Sequence, residues 1–164
     1  MKVKEQHAED VQVTIEHIFN APRALVFKAW TNPDLLLQWF APDGCTILFK
    51  EIDIRKGGKF HSCISNPIHG ECWCIGSYEE VVDLEKIVYS IAIADENGNT
   101  IDPKSKGMDE NWPRETKVTV TFTEFEGKTK LTLYQTVSES LAKKTGAYPS
   151  WIQMLERLEV VINS

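Results

Sequence analysis

The sequence predicts an α+β protein: a curved antiparallel sheet of six to seven strands wrapped around a long C-terminal helix, with two short helices after the first strand. Three observations predict it. Residues 19–40 hold two successive helix starts directly after a strand pattern. Residues 45–137 hold a series of alternating segments separated by short turn signals. Residues 149–162 carry apolar side chains at helical spacing.

Val11, Val13 and Ile15 alternate with Gln12, Thr14 and Glu16, which predicts a first strand over 11–19. Asn20 or Ala21 is placed to cap a first helix with Pro22 in its first turn, and Val26, Ala29 and Trp30 follow at helical spacing. Thr31 and Asn32 restart the capping, Pro33 opens a second helix, and Leu36, Trp39 and Phe40 form its apolar stripe. Residues 45–55 alternate with imperfect phase. Gly57-Gly58 makes a turn into a strand at 59–65, and Asn66-Pro67-Ile68-His69-Gly70 is a loop before a strand at 71–82. Asp83-Leu84-Glu85-Lys86 turns into a strand at 87–94. Residues 95–114 read as a long loop, and strands at 116–125 and 129–137 are joined by Glu126-Gly127-Lys128. The last helix has Pro149 in its first turn and buries Trp151, Leu155, Leu158 and Ile162.

Strands joined by short turns pair antiparallel, and such a sheet has one face to bury. The last helix is the element long enough to cover it. A twisted sheet curls around that helix, and whatever the helix leaves unfilled becomes a cavity.

The 164 residues are enough for one domain with a real core, predicted over 1–164 with a flexible tail at 1–10. No apolar run reaches the ~18 residues that a membrane span needs. The first residues lack the apolar core of a signal peptide, which predicts a cytoplasmic protein. A net charge of −6 with acids and bases interspersed argues against nucleic acid and anionic membrane as partners, since both demand a basic face.

Phe19-x-Ala21-Pro22-Arg23-x-Leu25-Val26-Phe27-x-Ala29-Trp30-Thr31-x-Pro33 followed by Trp39-Phe40 resembles the opening signature of the activator-of-heat-shock-protein-90-ATPase-like proteins. These belong to the START-like, helix-grip superfamily that includes the birch pollen allergen. Further matches are Asp53-x-Arg55-x-Gly57-Gly58-x-Phe60, Gly76-x-Tyr78-x-Glu80-Val81-Val82, Gly107-Met108 through Trp112-Pro113, Val118 to Phe122, Thr129 to Leu133, and Trp151 with Leu155-x-Arg157-Leu158. The resemblance covers about residues 11–162 and implies a helix-grip fold. It also implies the superfamily's range of roles, which includes lipid carriers, cyclases and co-chaperone modules. The co-chaperone carries a separate N-terminal domain, whereas only residues 1–10 precede the first predicted strand here.

Strand alternation together with the family pattern places Phe60, Ile64, Trp73, Ile75, Tyr89, Ile91, Phe122 and Leu133 on the gripped face, with Trp39, Phe40, Trp151 and Leu155 opposite on the helices. These residues either fill the core or line a hydrophobic ligand cavity, with Trp39, Phe60, Trp73, Tyr89 and Trp151 foremost as lining. If Cys63 pairs with Cys72 across the 66–69 loop, then His61 pairs with Cys74, and all four side chains share one face. Those are zinc-type ligands, but Cys-x-Cys on a flat strand holds its sulfurs apart. Free thiols in a reducing compartment, or a redox-sensitive pair, are the other readings. No metal is therefore assigned.

Glu79 and Gln135 point inward if their strands keep phase, and no partner carboxylate is visible for His17, His61 or His69. There is no GxSxG elbow, no Ser-His-Asp signature, no GxxxxGK[ST] and no GxGxxG, so no cofactor is expected. The acidic loop at 95–114 lacks EF-hand spacing. It reads either as a solvated loop or as a flap anchored by Met108 and Trp112.

Three functions follow as expectations. The first is non-catalytic binding of a small hydrophobic molecule in an internal cavity. The second is a co-chaperone or interaction module acting on a heat-shock ATPase in a stress response. The third is a cyclase- or hydratase-like enzyme. They differ in requiring, respectively, a cavity of ~300 Å³ or more, an exposed apolar patch, and two converging titratable groups inside the cavity. Exposed sheet edges also allow a homodimer.

Overall fold

The structure, a computed structural model, describes residues 11–164. The tail at 1–10 expected from the sequence lies outside the described residues. Strands β1 (Gln12–Phe19), β2 (Thr46–Ile52), β3 (Lys59–Asn66), β4 (Gly70–Val82), β5 (Lys86–Ala94), β6 (Glu115–Phe125) and β7 (Lys128–Ser138) form one antiparallel sheet. Its order is β1-β7-β6-β5-β4-β3-β2. From β2 to β7 each strand pairs with its neighbour in sequence. β1 lies at the far edge, so helices α1 (Arg23–Thr31) and α2 (Pro33–Trp39) carry the chain from one edge to the other.

Local signals account for most boundaries. The Asn32 side chain accepts hydrogen bonds from the Asp34 and Leu35 amides at 2.9 and 3.4 Å, capping α2 with Pro33 in its first turn. The first helix starts differently from expectation. Pro22 itself occupies the N-cap in an extended conformation, its carbonyl accepts from the Leu25 and Val26 amides, and no side chain caps the helix. The imperfect phase of β2 is a bulge between Phe49 and Glu51. At the β6–β7 turn Glu126 and Gly127 both have positive φ, 49° and 78°, as a two-residue hairpin of right-handed twist requires.

The C-terminal segment is two helices where the sequence reading expected one. Helix α3 (Glu139–Thr145) is capped by Ser138, which accepts from the Leu141 amide. Gly146 at φ +89° ends α3 and opens α4 (Ala147–Asn163). Helix α4 lays Trp151, Met154, Leu155 and Leu158 into the sheet's concave face. They meet Val13, Ile15, Val118, Val120, Leu131 and Leu133 in one cluster with Trp30 and Trp39.

The β3–β4 register corrects the expected cysteine arrangement. Asn66 pairs with Gly70, leaving a three-residue loop, and its side-chain oxygen accepts from the Ile68 and His69 amides at 2.8 and 2.9 Å. Cys63 therefore pairs with Trp73, Ser62 with Cys74, and Ile64 with Cys72. A shift of one residue exchanges the faces of a strand. His61 and Cys63 point to the convex side, while Cys72 and Cys74 share the concave side with Phe60, Ser62 and Ile64. The same shift turns Trp73 and Ile75 outward, against their expected place on the gripped face. There the Trp73 ring meets the His61 ring at 5.0 Å and the Lys50 ammonium at 4.9 Å.

Gly76 faces Phe60 across this hairpin. A Cβ at Gly76 would lie 2.1 Å from the Ser90 carbonyl oxygen and 2.3 Å from Phe60 Cζ. Gly76→Ala is therefore expected to lose about 2–3 kcal/mol, the upper part of the range for overpacking, measured by urea unfolding.

Candidate functional site: an apolar hollow under the helix

Two hollows lie on the concave face, the larger open to solvent at one side. The larger, about 420 Å³, lies where the middle of the sheet meets the α3–α4 junction and the 95–114 loop. Phe40, Ile64, Tyr89, Ile91, Val118, Trp151 and Met154 supply apolar wall. Met108 and Trp112 close it from the loop, and Thr145, Gly146, Ala147 and Ser150 from the helix junction. The smaller, about 20 Å³, lies between Trp30, Leu36, Phe49, Phe60, Tyr78 and Ile87. Phe40 and Tyr89 border both.

The twelve residues expected to contact a ligand divide four ways. Phe40, Ile64, Tyr89, Ile91 and Trp151 line the larger hollow. Phe60 lines the smaller. Trp39, Phe122, Leu133 and Leu155 are packed in the core and border neither. Trp73 and Ile75 are on the convex face. Met154 and Val118 escaped the sequence reading, although Met154 lies three residues after Trp151 on the same helical stripe. Thr145 to Ala147 escaped it because they precede the apolar stripe that marks the last helix.

Polar groups at the wall are few. Gln135 is buried and bridges two elements: its Nε2 donates to Thr116 Oγ1 at 3.1 Å, and its Oε1 accepts from Trp151 Nε1 at 2.9 Å. This pins the first turns of α4 to β6 and β7. Gln135→Leu keeps the volume and orphans the Trp151 N–H and the Thr116 hydroxyl. The expected loss is about 1–3 kcal/mol, read as a lower urea midpoint with unchanged slope.

Tyr89 is 4% exposed, and its hydroxyl has no protein hydrogen-bond partner among the described residues. Among the described residues the fully enclosed polar side-chain atom without a partner is Trp30 Nε1, so the Tyr89 hydroxyl borders open space. Burial pushes its pKa well above the ordinary phenol value, which keeps it a hydrogen-bond donor. Cys72 lines the same hollow. The neighbouring Cys74 thiol, assisted by the Lys106 charge, brings its thiol down to about 7 in spite of partial desolvation. Cys74 itself is held well above the usual thiol value by its Cys72 neighbour and by burial.

Glu79 does not point inward. It shares the phase of Trp73 and Ile75 and directly follows inward-facing Tyr78, so it lies on the convex face, where it accepts from the Lys117 ammonium at 2.9 Å. His17 meets Glu159 at 2.9 Å on α4, and His61 Nε2 lies 3.0 Å from the Asp95 carbonyl oxygen, both away from the hollow. The loop over the hollow is tied at both ends. Arg114 bridges to Asp102 at 3.1 Å, and Lys144 of α3 bridges to Asp109 at 3.1 Å. Between them a 3-10 turn at Pro103–Lys106 is capped by the Asp102 side chain.

A curved sheet closed by a C-terminal helix, with an apolar hollow between them, defines a helix-grip domain. The sequence matches the family model described as Activator of Hsp90 ATPase homolog 1-like protein over residues 20–163, and the chain belongs to that family. Solved structures agree on the fold. A protein from Chromobacterium violaceum is 21% identical with a TM-score of 0.76, covering 93% of this chain and 97% of that one. One from Staphylococcus epidermidis is 27% identical with a TM-score of 0.75, covering 93% and 89%. One from Arthrobacter aurescens is 19% identical with a TM-score of 0.79, covering 95% and 88%. No curated protein matches the sequence. Among the described residues no helix is long and apolar enough to cross a membrane.

Proposed function

We propose that this protein binds a small, largely apolar molecule in the hollow between the sheet and α4. The observation that carries this reading is the hollow itself: about 420 Å³ with aromatic, aliphatic and methionine walls. That volume lies within the range of small-molecule sites, and the mix of apolar wall with a few polar groups is typical of them. Rings from Phe40, Tyr89 and Trp151 give flat apolar surface. The Tyr89 hydroxyl and the Cys72 thiol offer hydrogen-bonding positions, so the favoured guest is an aliphatic or aromatic body carrying one carbonyl or hydroxyl group. The loop carrying Met108 and Trp112 is the proposed flap through which it enters.

A tryptophan-fluorescence titration tests this, because Trp112 and Trp151 line the wall. Medium-chain alcohols, ketones and small aromatic ketones are expected to give saturable changes with one equivalent bound. A flat response across that panel up to the solubility limit would contradict the reading.

A further inference from the structure

We propose that Cys72 captures soft, apolar electrophiles, α,β-unsaturated aldehydes or ketones, by forming a thioether inside the hollow. This rests on the reading that the hollow takes an apolar guest, and it names the class of guest.

Three observations place the chemistry there. Cys72 lines the hollow and is exposed, so it meets both the guest space and solvent. Its neighbour two residues on, Cys74, projects from the same face of β4 and places a second thiol beside it. Lys106, on the 3-10 turn of the overlying loop, adds positive charge near that sulfur. A thiolate is the nucleophilic form of cysteine, and thiol and cation neighbours favour it at neutral pH. The other cysteines are less suited. Cys63 and Cys74 are buried with raised pKa values, and the Cys45 sulfur accepts from Asn66 Nδ2 at 3.3 Å.

The step is an addition. The Cys72 thiolate forms a bond to the β carbon of the guest, and the π pair of its C=C bond moves onto the carbonyl oxygen as an enolate. Water at the exposed Cys72 end of the hollow is the donor to that oxygen. The proton that left the Cys72 thiol for water is matched by one that water returns to the α carbon. The net change is addition of S–H across C=C. Nothing is oxidised or reduced, and no group leaves.

The discriminating property is selection for an apolar tail. A lowered pKa alone gives only roughly threefold over an ordinary thiol, because a more acidic thiolate is also less nucleophilic. Binding of the tail in the hollow must supply the rest. Intact-mass kinetics with peptide mapping, using trans-2-nonenal and but-2-enal on the full-length protein, measure this against glutathione. The expected result is a single adduct at Cys72 whose rate saturates with nonenal, and which forms at least roughly tenfold faster than with but-2-enal because the tail is buried. Glutathione is expected to show no such chain-length preference. 1-Nonanol, which has no electrophilic carbon, is expected to slow labelling by competition. Cys72→Ser is expected to abolish the adduct. Cys74→Ala, which retains Cys72, is expected to slow it severalfold at neutral pH.

If nonanol binds by fluorescence but nonenal labels Cys72 no faster than but-2-enal does, covalent capture is overturned and the hollow still binds apolar guests. If nonanol fails to bind and nonenal labels several cysteines at rates linear in concentration, capture and the binding reading both fail.

Discussion

Replacing Trp39 by alanine is expected to destabilise the protein by about 3–5 kcal/mol, the range for removing a large aromatic side chain from a packed core. Trp39 has no exposed surface. Its Nε1 donates to the Ala29 carbonyl at 3.0 Å, which ties α2 back onto α1. Its ring meets Trp30 edge-on at 4.7 Å and Phe40 at 5.2 Å. Around these rings the helix pair closes one end of the sheet, and the Arg157 guanidinium of α4 donates to the Ala41 and Pro42 carbonyls just beyond. With about 2–4 °C lost per kcal/mol for a domain of this size, the melting temperature is expected to fall by roughly 6–20 °C. Calorimetry checks this. A fall of only a degree or two would mean that the helix pair contributes little to the fold.

Ala147→Trp is expected to have the largest effect on ligand binding with little effect on folding. Ala147 is the first residue of α4 and lines the hollow. An indole added there has empty space to enter, so it fills the hollow instead of overpacking the core. The guest then loses its place. Affinity for any ligand found by the fluorescence titration is expected to drop at least roughly tenfold, equivalent to about 1.4 kcal/mol or more. The melting temperature is expected to remain within a few degrees of the parent. Unchanged affinity in a folded Ala147→Trp variant would move the binding site elsewhere.

Much of this architecture is legible in the residues alone. The alternation of Val13 and Ile15, the Asn32-Pro33 helix start, and the stripe of Trp151, Leu155 and Leu158 all rest on periodicity and capping, which are local properties. Register is not local. Along β4 large or apolar side chains occupy both phases, Cys72 and Cys74 on one and Trp73 and Ile75 on the other, so alternation does not choose between faces. The choice is made by Asn66, whose side chain closes a three-residue loop in place of a longer one. Helix α3 carried ordinary signals at Ser138 and Gly146, but its seven residues are too short to show an apolar stripe.

The hollow is the least legible part. Leu133, Phe122 and Leu155 resemble Tyr89, Ile91 and Trp151 in type and spacing. Which of them borders empty space depends on where α4 and the 95–114 loop rest on the sheet, a relation among distant segments. Gln135 shows the same limit. A glutamine on an inward position reads as an irregularity until Trp151 and Thr116 are seen to satisfy it.

Methionine methyl groups give the most direct reading of the central claim. The protein has three methionines; Met108 and Met154 line the hollow and Met1 lies outside the described residues. With methyl-13C methionine and increasing 1-nonanol, the Met108 and Met154 resonances are expected to shift together and saturate at one equivalent. Resonances of Met108 and Met154 that remain in place up to the solubility limit of the alcohol would contradict the account.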